Sequence, residues 1–452
     1  MENYDVVIIG GGPGGYLAAE RAAGAGLKTV LFEEREVGGV CLNEGCIPSK
    51  ALLYSAKILT NARHAAEYGV SLTGDAVIDQ EYVIKRKAKV VRTLVAGVKA
   101  ALKKEGAVLI KGKAKMLSGD TVECGGERYK AKNLIIATGS APSLPPIPGL
   151  KEGLEKGYAL TNREILDLTV LPESLAVIGG GVIGLEMAAY YSAVGVRVTV
   201  IEMLEKIAGA TDAEISEALM KILTKQGVTF ELGARVTELS EGGVRFERRG
   251  ESFFAAAEKI LVSIGRRPVL PEGAAEAGIR IERGAVVTDE FMRTNLEGVY
   301  AVGDVNGKLM LAHTAYREAE VAVNNILGKA DKMDYSAVPS VIYTTPEIGS
   351  VGETEESALK KGFEIKTAKL PMTYAGRYVA ESNSKDGMCK VVTDAVTGRI
   401  LGAHVMGSYA SEYIVEMASM IALGVTVEEM KKLIFPHPTV SEILRETIFE
   451  IK

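Results

Sequence analysis

The feature that most constrains the fold is an internal repeat. The segments GGGPGGYLAAERAAGAGLKTVLFE (10–33) and GGGVIGLEMAAYYSAVGVRVTVIE (179–202) align without a gap. Each follows a β-branched apolar run, Val6, Val7, Ile8 and Ile9 before the first and Ala176, Val177 and Ile178 before the second. Each then reads as a G-x-G-x-x-G turn, a small-residue helix, a second strand and a closing Glu. The glycines have separate tasks. Gly10 and Gly179 allow the tight turn, Gly12 and Gly181 let the backbone approach a pyrophosphate, and Gly15 and Gly184 let the helix pack on the strand. Helix N-terminal amides then attract the phosphates. One such motif is weak evidence, but two complete units with every part in register predict an α/β chain with two Rossmann-like dinucleotide-binding domains.

Glu33 and Glu202 end the second strand of their units, where a carboxylate accepts from a ribose 2′-hydroxyl. The competing reading of each is a solvated strand-end acid. At Glu202 a carboxylate also repels a 2′-phosphate that an Arg would attract, so NAD is expected over NADP.

With 452 residues the chain has room for three or four domains. Two Pro-rich joints follow strand-like runs, one after Leu134, Ile135 and Ile136 and one after Ile260, Leu261 and Val262. They bracket the second repeat. A further joint at 328–339 precedes a pattern of alternating strands and helical runs at 411–423 and 427–433. The expected segments are therefore 1–145, 146–267, 268–335 and 336–452, the last an α+β domain. A net charge of −5 with dispersed Lys and Arg argues against nucleic acid as a partner. MENYDVVIIGGG enters a strand without a secretory signal, which predicts a cytoplasmic protein. The most apolar window, 175–196, holds a Gly cluster and Glu186 and reads as strand, turn and buried helix, not a membrane span.

Cysteines are scarce, four in all, yet Cys41 and Cys46 fall together in GGVCLNEGCIPSK directly after the first fingerprint. Cys46 precedes an apolar helical run, so its sulfur is expected at a helix N-terminus, where the dipole stabilises a thiolate. The alternative, a structural or zinc pair, wants further ligands at short spacing, and none follows. Cys124 and Cys389 have no neighbouring partner and read as bystanders.

The two dinucleotide units, Cys-x4-Cys ahead of Ile47, Pro48, Ser49 and Lys50, the run Ala137, Thr138, Gly139, and VYAVGD (299–304) together resemble the flavoprotein disulfide reductases, over essentially the whole chain. YTTPEIGSVG (343–352) and HPTVSE (437–442) bring it nearest to the members that oxidise dihydrolipoamide. The resemblance implies that 1–145 and 268–335 bind FAD through Gly10, Gly12, Gly15, Glu33, Lys50, Thr138, Gly139, Asp304 and Ala312. It implies that 146–267 binds NAD through Gly179, Gly181, Gly184, Glu186, Glu202 and Gly265, and that 336–452 forms a homodimer interface. Cys41 and Cys46 would form the redox-active disulfide, Cys41 attacked by the dithiol and Cys46 facing the flavin. Lys50 would lie near the flavin and pair with Glu186, the only charged residue between Gly179 and Arg197. A lone buried carboxylate needs a cation, although a helix-surface acid at a cleft edge would also account for it.

A thiol is mostly protonated at neutral pH, so the chemistry needs a base, and His has the suitable pKa. His437 is the candidate, with Glu442 orienting it. Thr439, Val440, Ser441 and Glu442 also spell a capping box for the last helix, and both roles can coexist. Two departures stand out. Phe435 replaces a second His carried by many relatives, and the C-terminus lacks the cysteine pair of mercuric-ion reductases. No N-terminal lipoyl domain of the sort fused to some relatives is expected. The expected activity is FAD-dependent oxidation of dihydrolipoamide with NAD, the dithiol presented on lipoyl domains of 2-oxo acid dehydrogenase or glycine-cleavage complexes. The alternatives are an NAD(P)H-dependent reductase of another small disulfide, or a flavin-bearing scaffold or electron-transfer subunit.

Overall fold

The computed structural model describes residues 2–452. The chain divides into two compact units that interleave in sequence. One comprises the chain up to Ala51 with Ile84–Ser143 and Gly265–Asp334, and the other comprises Leu52–Val83, Leu144–Ile264 and Tyr335–Lys452.

The first unit is built on a seven-stranded sheet. Glu2–Ile9 lies parallel between Thr29–Glu33 and Glu127–Ile136, and Val299–Ala301 adds in parallel to the far side of Glu127–Ile136. Ile9, Ile136 and Ala301 align in register, so the C-terminal ends of three strands open at one place, where Gly10, Ala137 and Val302 begin their turns. That is the edge at which an open parallel sheet binds ligands. The strands are apolar on both faces because parallel strands are covered on both sides; Val6, Val7 and Ile8 are fully buried. The two Pro-rich joints pair with each other. Ser140–Pro142 runs antiparallel to Arg266–Pro268, which carries the chain back into this unit after Gly265.

The second unit holds a five-stranded parallel sheet in the spatial order Val228–Glu231, Arg197–Ile201, Ser174–Ile178, Lys259–Val262, Ala159–Leu160. A three-stranded antiparallel meander, Arg235–Ser240, Gly243–Arg248 and Glu251–Ala256, accompanies it. Residues 52–83 join this unit, a placement the sequence did not suggest. Gln80 is buried, donating to the Leu168 carbonyl at 2.8 Å and accepting from the Tyr190 hydroxyl at 2.6 Å.

The C-terminal part of the same unit is an antiparallel sheet of five strands, ordered Ser340–Ile342, Glu347–Gly352, Ile400–Gly407, Met388–Asp394, Ile365–Pro371. Side chains alternate across it. Cys389, Val391, Ala403 and Val405 face a core shared with Ile414 and Met417 of helix Ala410–Ala422 and with Ile443 and Leu444 of helix Glu442–Phe449. Lys390 and His404, directly paired across the strands, occupy the alternate positions. Among the described residues no helix is long and apolar enough to cross a membrane.

Candidate active site

The two fingerprints fold alike down to single hydrogen bonds. Gly10 and Gly179 turn at φ +105° and +102°, values that L side chains rarely adopt. A Cβ at Gly15 would fall 1.7 Å from the Gly10 carbonyl oxygen, and one at Gly184 2.2 Å from that of Gly179. The middle glycines differ. A Cβ at Gly12 would meet nothing nearer than Gly39 Cα at 4.0 Å, and at Gly181 nothing within 4 Å. The space beside them is open, as a backbone that must receive a pyrophosphate requires. Helices Pro13–Gly24 and Val182–Ala193 start at these glycines without a side-chain cap or an acid in the first turn, which leaves amides and the positive dipole end for an anion.

Glu33 and Glu202 repeat the same bracing. Glu33 accepts from the amides of Gly11 at 2.7 Å and Arg35 at 2.8 Å; Glu202 accepts from those of Gly180 at 2.6 Å and Leu204 at 2.8 Å. Neither is a loosely solvated strand-end acid. Each carboxylate holds the turn that would carry the phosphates, while its remaining lone pairs can meet a ribose.

In the first unit Cys41 lies in the short helix Gly39–Glu44, and Cys46 is the first residue of helix Cys46–Arg63. Asn43 braces the loop between fingerprint and cysteines, its side-chain amide donating to the carbonyls of Gly39 at 2.9 Å and Val37 at 3.2 Å. Both cysteines are thiols in this structure, Cys41 half-buried and Cys46 exposed. A hydrogen bond with Cys46, reinforced by burial, pushes the Cys41 thiol well above its ordinary pKa, with Lys50 pulling the other way. The two sulfurs are therefore neighbours in the reduced pair. Lys50 Nζ reaches the Ser49 hydroxyl at 3.4 Å, and Ser49 in turn donates to the Cys46 carbonyl at 3.0 Å.

At this edge the sequence reading named Asp304, Thr138 and Ala312 but missed the residues around them and beside the thiol pair: Ser140, Arg266, Glu318, Tyr16 and Tyr316. Asp304, in the turn Gly303–Asn306, accepts from the Ser140 hydroxyl. Arg266 holds Ser140 twice, Nε to its hydroxyl and a terminal nitrogen to its carbonyl, both at 2.7 Å. Buried Glu318 accepts from the Gly303 amide at 2.6 Å. The hydroxyls of Tyr16 and Tyr316 meet at 2.5 Å, and burial, followed by that contact and by Cys41 and Cys46, raises the Tyr16 pKa. Thr138 binds the Val269 carbonyl, and Ala312 opens the helix Ala312–Ile326 with no side-chain cap. Gly265, expected on the NAD side, falls in this first unit, its carbonyl accepting from the Ser143 amide at 3.0 Å.

In the second unit Glu186 is 4 % exposed and accepts from the Tyr343 amide at 3.0 Å, so it is a buried acid and not a helix-surface one. His437 Nδ1 stands 2.9 Å from Glu442 Oε1, and Glu442 Oε2 accepts from the Thr439 amide at 2.8 Å. The expected capping box is only half present. The helix begins at Glu442, and the Thr439 hydroxyl donates to the Pro436 carbonyl at 2.9 Å instead of accepting from Glu442. The carboxylate keeps its half of the box through Oε2 and turns Oε1 to His437. Burial raises the Glu442 pKa, but the Thr439 amide and then His437 outweigh it and leave the carboxyl below its usual range.

A paired dinucleotide cradle, a thiol pair at a helix start and a His–Glu pair define a class. Residues 4–319 match the pyridine nucleotide-disulphide oxidoreductase family, and residues 338–448 match the dimerisation domain of that family. The chain belongs to this family. It is 38 % identical over 449 residues to the dihydrolipoyl dehydrogenase of Mycoplasma pneumoniae, covering 98 % of this chain and 97 % of the relative. It is 40 % identical over 451 residues to that of Chlamydia muridarum, covering 99 % and 96 %. Among solved structures it is similar to the Cu(II) complex of the HOCl-induced flavoprotein disulfide reductase RclA from Escherichia coli, with a TM-score of 0.88, 28 % identity and full coverage of both chains.

Proposed function

We propose that this protein oxidises dihydrolipoamide to lipoamide with NAD as the hydride acceptor, through FAD and the Cys41–Cys46 pair. The observation that carries the reading is the hydrogen-bonded thiol pair at the start of a helix in the same unit as a dinucleotide cradle. Full-length relatives that are dihydrolipoyl dehydrogenases support it. Gly10, Gly12, Gly15, Glu33, Thr138, Gly139, Asp304 and Ala312 would hold FAD, with Lys50 beside it, and Gly179, Gly181, Gly184 and Glu202 would hold NAD. Bound FAD supplies the two-electron carrier between the cysteine pair and NAD.

The chain's own groups account for the dithiol half of the reaction. Glu442 accepts a hydrogen bond from Nδ1–H of His437, which leaves Nε2 as the base for a substrate thiol. The resulting thiolate attacks the sulfur of Cys41 in the oxidised pair. A mixed disulfide forms and the Cys41–Cys46 bond breaks, releasing Cys46 as a thiolate stabilised by its helix N-terminus. The second substrate thiolate then displaces Cys41, so lipoamide leaves and two electrons stay on the cysteines. The dimerisation domain supports a homodimer in which His437 of one protomer serves the cysteine pair of the other. Lipoyl domains of 2-oxo acid dehydrogenase or glycine-cleavage complexes, in the cytoplasm, are the proposed source of substrate.

The test compares turnover of dihydrolipoamide with NAD against glutathione disulfide with NADH and NADPH. Faster glutathione reduction would assign the chain to a different disulfide. Absence of both activities, with no long-wavelength absorbance on anaerobic NADH titration, would leave a scaffold.

A further inference from the structure

Lys390 is a buried lysine with a complete set of partners. Its side chain and that of Asp212 are each 3 % exposed. An ammonium has three donors, and here each meets a carboxylate, Asp212 at 3.0 Å, Glu214 at 3.0 Å and Glu355 at 2.9 Å. Lys369 pairs with the other oxygen of Glu214 at 2.5 Å. Lys390 comes from the central strands of the C-terminal sheet, and Asp212 from the segment that carries the second fingerprint, 178 residues away.

Asp212 is fixed on both sides. Its Oδ2 takes Lys390, and its Oδ1 accepts from the amides of Glu214 at 3.0 Å and Ile215 at 3.4 Å, which caps the helix Ala213–Lys225. Behind it runs the loop 203–211, which leads back to the fingerprint. The Thr211 amide donates to the Ala208 carbonyl at 3.1 Å, and the Ala208 amide donates to the Gly180 carbonyl at 2.8 Å. Ala208 holds φ +61°, a strained value for a residue with a Cβ. Ile207 is 1 % exposed and its carbonyl accepts from the Ser216 hydroxyl at 2.8 Å. At the other end of the loop Leu204 and Gly180 both donate to Glu202. The loop is thus a closed brace with Glu202 and Gly180 at one end and Asp212 at the other.

We propose that Lys390 is a positioning residue for NAD. It holds Asp212, and through Asp212 the loop that sets Gly180 and Glu202 in the geometry a dinucleotide needs. The inference rests on the second fingerprint being the NAD site. Its physical basis is that a buried carboxylate deprived of its cation is costly to keep in place. Asp212 then leaves its position, the helix cap weakens, and the strained loop relaxes.

The experiment measures the Kd for NAD by equilibrium titration calorimetry beside steady-state KM for NAD, KM for dihydrolipoamide and kcat in Lys390→Met, Lys390→Arg, Asp212→Asn and Glu202→Gln holoenzymes. The Kd is expected to move with the KM for NAD. Lys390→Met should raise the KM for NAD about tenfold, the scale of coupling through a connected network, with kcat and the dithiol KM within about twofold. Lys390→Arg should restore most of the loss. Adding Asp212→Asn to Lys390→Met should also recover affinity, because the buried position 212 then carries no charge without a cation, while Glu214 keeps Lys369. Where Lys390→Met does not fold, Asp212→Asn alone decides, with an expected rise of about threefold in the KM for NAD. The proposal is overturned if the KM for NAD stays unchanged in these variants while Glu202→Gln raises it; the cluster then only stabilises the fold. If Glu202→Gln leaves it unchanged too, the second fingerprint is not the NAD site and the inference falls with that reading.

Discussion

Replacing Glu442 by Gln changes one atom and reverses the imidazole. In the native pair Glu442 Oε1 lies 2.9 Å from His437 Nδ1 and its Oε2 accepts from the Thr439 amide at 2.8 Å. A backbone amide only donates, so the Gln oxygen must stay on Thr439, which leaves its NH2 facing Nδ1. Nδ1 then has to accept, the ring proton moves to Nε2, and the nitrogen that should deprotonate the substrate is no longer a base. The expected loss of dithiol turnover is about 10²–10⁴-fold, the scale for a missing or mis-tautomerised base. Stability should change little. A charge-assisted bond becomes neutral, worth about 0.5–1.5 kcal/mol at most, and the 78 % exposed His437 side chain reduces even that. The small stabilising contribution exists above the ordinary carboxylate range, because the folded pKa of Glu442 is depressed, and it fades as pH falls through that lowered value. The assay sets steady-state dihydrolipoamide oxidation beside stopped-flow reduction of the flavin by NADH, which needs no such base and should stay near normal. Dithiol turnover within threefold of the parent would refute the tautomer argument, and equal losses in both half-reactions would point to a folding defect.

Mixing His437→Ala with Cys46→Ser subunits, each inactive alone, should restore activity in the hybrid dimer, since one of its two sites then has an intact pair and an intact base; silence after demonstrated subunit exchange would place His437 on its own chain's cysteines or outside the chemistry. The parent should prefer NADH over NADPH by at least about tenfold in kcat/KM, or 1.4 kcal/mol, and Glu202→Gln should erode NADH use because its NH2 confronts the Gly180 or Leu204 amide; equal parent values for the two nucleotides would sink the argument. Burial holds the His404 pKa below its ordinary value despite the Glu353 carbonyl at 3.0 Å, and Asp212, Lys390, Glu355 and cross-strand Ser350 surround it. Its unfolded form binds a proton first, so stability should fall as pH drops below about 6.5, by at most about 1.4 kcal/mol per pH unit. His404→Asn should flatten that part of a denaturation-midpoint series, and an unchanged slope would acquit His404.

What the sequence by itself determined is what depends on neighbours along the chain. The fingerprint glycines, the closing acids Glu33 and Glu202, and Cys46 at a helix start all lie within about one strand-turn-helix unit, where fixed spacing sets geometry. The His437–Glu442 pair was legible for the same reason, although the folded turn sent the Thr439 hydroxyl to Pro436 and not into the expected cap. Tertiary structure decided the rest. Ser140 and Arg266 meet because two distant joints pair as strands; Tyr16 meets Tyr316 across 300 residues; Lys390 finds Asp212 across 178. Residue type at such positions is ambiguous, since a Lys in a strand is ordinarily solvated. Only the closing of long loops around shared sheets turns it into a buried cation with three anions, and a linear pattern carries no record of which loops close.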